Sequence, residues 1–178
     1  IDKLVEKGYK VAICEQLEDP KNVKKGIVKR DLIQIISQGT IINSENLNEK
    51  ENNYIGSLIN FEHAYVLCYS DISTGELSVI ILENNISKVV SEIVSIGIKE
   101  IVTTSKTEAT ITTLLKNQFK LTINIIEEIE DNSLYSYIYS DVKDARYIET
   151  IKLLLTYITN TQKRNLSHMQ KVIIKNAQ

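Results

Sequence analysis

Among the residues with chemistry to offer, Asp71 has the best position. It stands near the end of Tyr65–Ile72, a segment that reads as a strand. A strand-end aspartate can hold the first of two metal ions about 4 Å apart, as phosphodiester hydrolysis requires. That chemistry needs several converging carboxylates. Glu76 lies across the next turn, Glu100 opens a later strand, and Asp141 and Asp144 flank helix ends, where capping accounts for them. One acid is too few, so Asp71 reads first as a turn or hydrogen-bonding residue. A metal-dependent nuclease of ribonuclease-H type is the alternative. His63, in a polar turn, and His168, near the C-terminal end, lack a Ser or Cys partner at a recognisable spacing. No Cys/His cluster suits zinc. Gly8, Gly26, Gly39, Gly56, Gly75 and Gly97 are scattered singly, without a G-x-x-x-x-G-K-S/T phosphate loop. The reading therefore assigns no catalytic residue, metal ligand or cofactor site to this chain.

Two clusters could bind rather than react. Lys21, Lys24, Lys25, Lys29 and Arg30 are five cations with no acid among them. They read either as a solvated loop or as contacts to the DNA backbone, where lysines position a protein without reading sequence. Tyr135, Tyr137 and Tyr139 alternate, so one helical face cannot hold all three. Either two of them simply pack, or the exposed ones form a protein-binding surface. Leu134 and Ile138, at i and i+4, would anchor their short helix to the core.

The elements that must position these residues follow from patterning. Residues 1–7 read as helix, stopped by Gly8. Tyr9–Leu17 and residues 27–37 read as strands, and the run through Leu32, Ile33, Ile35 and Ile36 suits a strand buried on both faces. Residues 41–53 are polar and Asn-rich, a linker. Tyr54–Phe61, Tyr65–Ile72 and Glu76–Leu82 read as three strands with short, hence antiparallel, connections. Ile86, Val89, Val90, Ile93 and Val94 share one face of a helix over 85–96, ended by Gly97. A strand over Glu100–Thr104, a helix opened by a Ser105/Glu108 capping box, a strand over Leu121–Ile126 and helices near 133–140 and 145–160 complete the pattern. This order predicts an α/β fold: a mixed sheet with flanking helices on the ribonuclease-H-like plan, later strands adding in parallel through right-handed crossovers. An incomplete α+β fragment precedes it.

The 178 residues carry a net charge of −2, with 43% hydrophobic and 25% charged residues, an ordinary soluble composition. Overall charge thus gives no nucleic-acid signal; only local patches could. Cys14 and Cys68 stand alone in apolar runs and read as buried thiols in a reducing cytoplasm. No run approaches the ~20 apolar residues of a membrane span. The chain opens at Ile1 inside a helical pattern and closes at Gln178 inside an unfinished segment, so both ends read as cut from something longer.

Three stretches carry a family resemblance. Leu4-Val-Glu-Lys-Gly-Tyr-Lys-Val-Ala-Ile-Cys-Glu-Gln-Leu-Glu-Asp-Pro20, continuing through Val28-Lys29-Arg30 to Gly39-Thr40, resembles the end of the mismatch-recognition domain of bacterial MutS proteins. Asp71-Ile-Ser-Thr-Gly-Glu76 resembles a strand–turn motif of their connector domain. Thr161-Gln-Lys-Arg-Asn-Leu-Ser-His-Met169 resembles the start of their core/lever domain. Where the family often has Thr-Pro-Gly-Thr, this chain has Ser37-Gln38-Gly39-Thr40. The resemblance implies a domain order of 1–40, mismatch recognition; 41–53, linker; 54–160, ribonuclease-H-like connector without nuclease role; and 161–178, start of the core/lever domain. It also implies a parent that binds mismatched duplex DNA as a dimer, uses ATP and Mg, and recruits MutL. The mismatch-reading Phe-x-Glu would precede Ile1, and the ATPase would follow Gln178.

Overall fold

The computed structural model describes residues 1–16, 30–39, 53–161 and 166–177. Lys21, Lys24, Lys25 and Lys29 lie outside the described residues, as do Lys163 and Arg164.

A short helix α1 (Asp2–Glu6) ends at Gly8, whose φ of +85° is the left-handed conformation expected there. β1 (Val11–Gln16) and β2 (Arg30–Ile36) then pair antiparallel, with an irregularity between Ile13 and Cys14. β2 departs from expectation. Leu32, Ile35 and Ile36 are only half-buried, while the polar Gln34 and Ser37 are buried. Among the described residues β2 has one partner strand rather than a place inside a covered sheet. Strand alternation also corrects Cys14: it lies on the face opposite half-buried Val11 and Ile13 and is exposed.

The larger unit is a six-stranded sheet in the order β7-β6-β3-β4-β5-β8. β3 (Tyr54–Phe61), β4 (Ala64–Asp71) and β5 (Glu76–Glu83) form an antiparallel meander, as their short connections require. α2 (Ile86–Ile96) is capped at Asn85, whose side chain accepts the Lys88 N–H at 3.1 Å, and it ends on Gly97 at φ +84°. It carries the chain over to β6 (Ile98–Thr103), which adds parallel to β3. α3 (Ala109–Asn117) makes the same kind of crossover to β7 (Thr122–Ile125), parallel to β6. A 3₁₀ helix (Ser133–Tyr139) and the long α4 (Ala145–Thr161) follow. β8 (Ile173–Lys175) adds parallel to β5, a strand that sequence patterning did not reveal.

Alternation along β4 sets up two cores. Tyr65, Leu67 and Tyr69 point to one face and pack with Val89, Val90 and Ile93 of α2 and Ile111 and Leu115 of α3. Val66 and Cys68 point to the other and pack with Ile151, Leu154, Leu155 and Ile158 of α4. Burial raises the Cys68 thiol pKa far above its ordinary value, so this cysteine behaves as an inert hydrophobe. The α4-side core also takes in Leu166 and Met169, beyond the end of α4.

The expected capping box does not form. α3 starts only at Ala109, and Glu108 stands at its N-cap without a side-chain bond. The Ser105 N–H instead meets the Glu127 carboxylate at 3.1 Å, and residues 104–107 make a separate turn closed by Thr107 N–H to Thr104 O at 3.1 Å.

Candidate junction site

Asp71 ends β4, and its side chain is spent on the next turn. Oδ1 accepts the Ser73 N–H at 2.9 Å and the Ser73 hydroxyl at 2.5 Å, while its backbone carbonyl accepts the Gly75 N–H at 2.9 Å. This is the aspartate-nucleated turn that a short side chain favours. Among the described residues no group of three or more His, Cys, Asp or Glu could hold a metal ion. The nuclease alternative therefore finds no carboxylate set there.

The turn has a second role. Gly75, at φ +75°, meets the segment that follows α4: a Cβ on it would lie 2.3 Å from the His168 carbonyl oxygen. The Gln170 N–H donates to the Gly75 carbonyl at 2.9 Å, and His168 Nε2 lies 2.7 Å from the Ile72 carbonyl. A carbonyl only accepts, so Nε2 must carry the proton. The Tyr137 hydroxyl donates to the Met169 carbonyl at 2.7 Å. The turn motif around Asp71 and the later His168–Met169 stretch, far apart in sequence, are one docking contact.

Sequence reasoning passed over Glu100 except as a failed partner for Asp71. In the structure it is fully buried and central. Its Oε1 accepts the Asn124 amide at 2.8 Å and the Tyr157 hydroxyl at 2.5 Å. Its Oε2 accepts the Gly39 N–H at 2.9 Å and the Ser37 hydroxyl. Four donors meet its two oxygens, the environment a buried carboxylate needs. Burial first, and then the negative charge of Glu100, pushes the Tyr157 hydroxyl pKa far above the usual phenol range. Lys10 reaches the same network by donating to Asn124 Oδ1, and its ammonium lies 5.4 Å from the centre of the Tyr157 ring.

Gly39 is what lets the chain come this close. A Cβ there would lie 2.9 Å from Ile55 Cβ and 3.0 Å from Glu100 Cβ. Gln38 adds two bridges, accepting from the Thr122 hydroxyl at 3.1 Å and donating to the Glu6 carbonyl at 3.4 Å. The end of the β1–β2 hairpin is thus pinned to β6, β7 and α4 by buried polar contacts. The sequence signal was slight: a glutamate between Ile98 and the apolar pair Ile101-Val102, next to a lysine, on a strand that is buried except at Lys99.

The two contacts share one end of the sheet. Tyr54 of β3 pairs with Asp71 of β4, and Ile55 pairs with both Ser70 of β4 and Glu100 of β6. Adjacent strands lie about 4.8 Å apart. Glu100 and the Asp71 turn are therefore roughly 10 Å apart across one hydrogen-bonded ladder.

The tyrosine segment differs from expectation in its anchor. Ile138 is buried, but Leu134 is 75% exposed. The segment is a 3₁₀ helix with three residues per turn, so i and i+3 eclipse and i and i+4 do not. Tyr135 therefore joins Ile138 against the α4-side core, and Tyr139 packs there too. Tyr139 donates to Asp131 at 3.3 Å and lies under the Lys152 ammonium. Tyr137 is the most exposed of the three, at 37%. Of the basic loop, Arg30 is described, exposed at the start of β2. His63 is exposed in the β3–β4 turn beside Glu62.

Comparison with known proteins assigns both parts. Residues 1–45 match the family model MutS domain I, and residues 53–170 match MutS domain II. A DNA mismatch repair protein MutS of Oceanobacillus iheyensis is 41% identical over 172 residues, covering 96% of this chain and 20% of that protein. One of Bacillus licheniformis is 41% identical over 172 residues, covering 97% of this chain and 19% of that protein. One of Listeria monocytogenes is 40% identical over 178 residues, covering 97% of this chain and 20% of that protein. The chain spans about a fifth of the length of these relatives. This chain belongs to the MutS family, residues 1–45 corresponding to domain I and residues 53–170 to domain II.

Proposed function

We propose that this chain is a non-catalytic coupling portion of a DNA mismatch-repair protein. Residues 1–40 close the mismatch-recognition domain, 41–53 link it, and 54–160 form a connector on the ribonuclease-H-like plan. Residues 161–178 lead into the core/lever domain. In the whole protein, mismatched duplex DNA is read ahead of this stretch and ATP with Mg is used beyond it, by a dimer in the cytoplasm. Nothing in this chain is assigned to hold the nucleotide, because its singly scattered glycines make no phosphate loop. The connector relays state between those parts and offers a surface to MutL.

One observation carries this reading. The stretch before β3 and the stretch after α4 are each locked to the sheet, and both locks lie at the same end of it: Gly39 on Glu100, and His168–Gln170 on the Gly75 turn. A contiguous hydrogen-bonded ladder between two such contacts can carry a coupling free energy. For the partner surface, Leu134–Asp141 is the best candidate, because Leu134 and Tyr137 present apolar and amphipathic surface there.

The test uses the full-length protein carrying Glu100→Gln, Gly75→Ala, or both. Each single variant should retain basal ATP turnover while losing part of its stimulation by mismatched DNA. In the loss of stimulation, the double variant should depart from additivity by more than the roughly 0.5 kcal/mol within which uncoupled sites about 10 Å apart add. Full stimulation in both single variants would refute the relay.

A further inference from the structure

The same two units also meet along an open groove on the solvent side. Lys7 and Lys10 come from the turn after α1, Lys116 from the end of α3, and Lys120 from the turn before β7, with Gln38 between the two walls. The groove encloses about 560 Å³. All four lysines are exposed, and Glu6 is the only carboxylate among the lining residues. Among the described residues, the ion pairs use Lys88, Arg146, Lys152, Lys171 and His63, and none of these four. Two of the lysines are held in place. Lys10 is tied to Asn124, and the Lys120 ammonium donates to the Asn117 carbonyl at 2.8 Å. Lys120 is also the one described non-glycine residue with positive φ, at 60°, a conformation uncommon for a long side chain. Four cations against one acid is a marked local imbalance in a chain whose net charge is −2.

We propose that this groove takes the phosphate backbone of duplex DNA, lying across the seam between the domain I segment and the connector. The proposal rests on the reading of this chain as part of a DNA-handling protein. An open trough lined from both walls suits an extended polyanion better than a small anion. Lysines act as point charges and make sequence-independent phosphate contacts. No aromatic residue lines the groove, so base stacking has no platform there. DNA in the groove would contact both units at once and so favour the arrangement that the Glu100 network holds.

The experiment uses the full-length protein with Lys116→Gln and Lys120→Gln together. Both residues are exposed on the connector side, and the change gives up only the exposed bond from Lys120 to the Asn117 carbonyl. Affinity for a short homoduplex, and for the same duplex carrying a G·T mismatch, is measured between about 50 and 200 mM salt. Affinity should fall by the same factor for both duplexes. The slope of log affinity against log salt should become shallower by about 1.8, or 0.9 for each lost phosphate contact. A control pair of exposed lysines outside the groove lining, Lys106→Gln with Lys143→Gln, should leave the slope unchanged. An unchanged slope in the Lys116/Lys120 variant overturns the proposal. So does an equal change in the control, which would mark a bulk charge effect, or a loss confined to the mismatched duplex. Non-additivity between Glu100→Gln and Gly75→Ala does not depend on these lysines. If it survives beside an unchanged slope, the groove fails and the relay reading stands; if it vanishes beside a shallower slope, the relay fails and the groove stands.

Discussion

Glu100→Gln changes one oxygen to an NH₂ group and almost nothing else, so it probes the junction at single-atom resolution. In the wild type Oε1 serves Asn124 and Tyr157, and Oε2 serves Gly39 and Ser37. A glutamine keeps one acceptor and adds two donors. Two orientations compete. With the NH₂ toward Tyr157 and Asn124, the Tyr157 hydroxyl can rotate to accept. Asn124 would then have to turn its amide and give up Lys10, which uses its Oδ1. With the NH₂ toward Ser37 and Gly39, the Ser37 hydroxyl can rotate, but the Gly39 N–H cannot, and it faces another donor. Each orientation gives up one bond; the first gives up only that of the exposed Lys10, which water can serve, so the glutamine should keep Gly39 at the expense of Lys10. A buried donor left without an acceptor costs about 1–3 kcal/mol. In Glu100→Ala, which takes the acceptor from Gly39, that corresponds to roughly a 5- to 150-fold loss of protection for the Gly39 amide in native-state hydrogen exchange. Amides of β4, such as Val66 and Leu67, should keep their protection, because they lie in the two cores rather than in the junction. Glu100→Ala removes the acceptor from all four donors and should cost more than a single unmatched donor does. Wild-type protection at Gly39 in the alanine variant would refute the claim that Glu100 holds the hairpin to the connector.

Three further outcomes follow from the geometry. Gly75→Ala puts a Cβ 2.3 Å from the His168 carbonyl in a left-handed turn; it should destabilise by at least about 1 kcal/mol and deprotect the Gln170 amide, read by denaturant unfolding and exchange. Leu134→Ala, at an exposed site, should change stability by less than about 0.5 kcal/mol, and unchanged MutL affinity in the full-length protein would remove Leu134 from the partner surface. Arg146, first through its side-chain hydrogen bond, holds the Asp144 carboxyl below its ordinary value. Its folded pKa is thus lower than its unfolded one, so its stabilising contribution is present above about pH 4 and is lost as pH falls through the depressed value. Asp144→Asn should accordingly flatten the acid limb of a stability–pH curve and lower its neutral plateau, the difference from wild type closing at low pH.

Much of the larger unit was legible because its elements obey local rules. Asn85 and Gly97 bracket α2, the three short-looped strands form a meander, and the helix–strand alternation predicts the parallel additions of β6 and β7. What escaped depends on partners distant in sequence. β8 is three residues long and exists by pairing with β5, so no periodicity could mark it. Leu134 looked like an anchor because α-helical spacing was assumed, and a 3₁₀ turn moves that role to Tyr135. The Ser105/Glu108 pattern is sound local chemistry, but the Glu127 carboxylate takes the Ser105 N–H. The site was the least legible part. Asp71 has the right residue type for catalysis, and its hydrogen bonds assign it to a turn. Glu100 had no motif around it, because its four partners come from residues 37, 39, 124 and 157.

Why the junction uses a buried carboxylate rather than apolar packing is itself informative. Burying a charge costs several kcal/mol, and apolar residues of the same volume often give equal or greater stability. An apolar contact is non-directional, however, and tolerates sliding. The Glu100 network does not: Oε2 must meet the Gly39 N–H, and any shift of the hairpin along β6 leaves buried donors unmatched. The closeness of Gly39 to Ile55 makes the fit steric as well as polar. Such a contact is either made in one register or broken, which is the two-state behaviour a relay needs and a greasy interface lacks. The Gly75 turn has the same character, with a left-handed glycine under a carbonyl and a backbone bond from Gln170. Two all-or-none contacts about 10 Å apart on one ladder therefore make a stiffer link between the flanking segments than the apolar cores alone could.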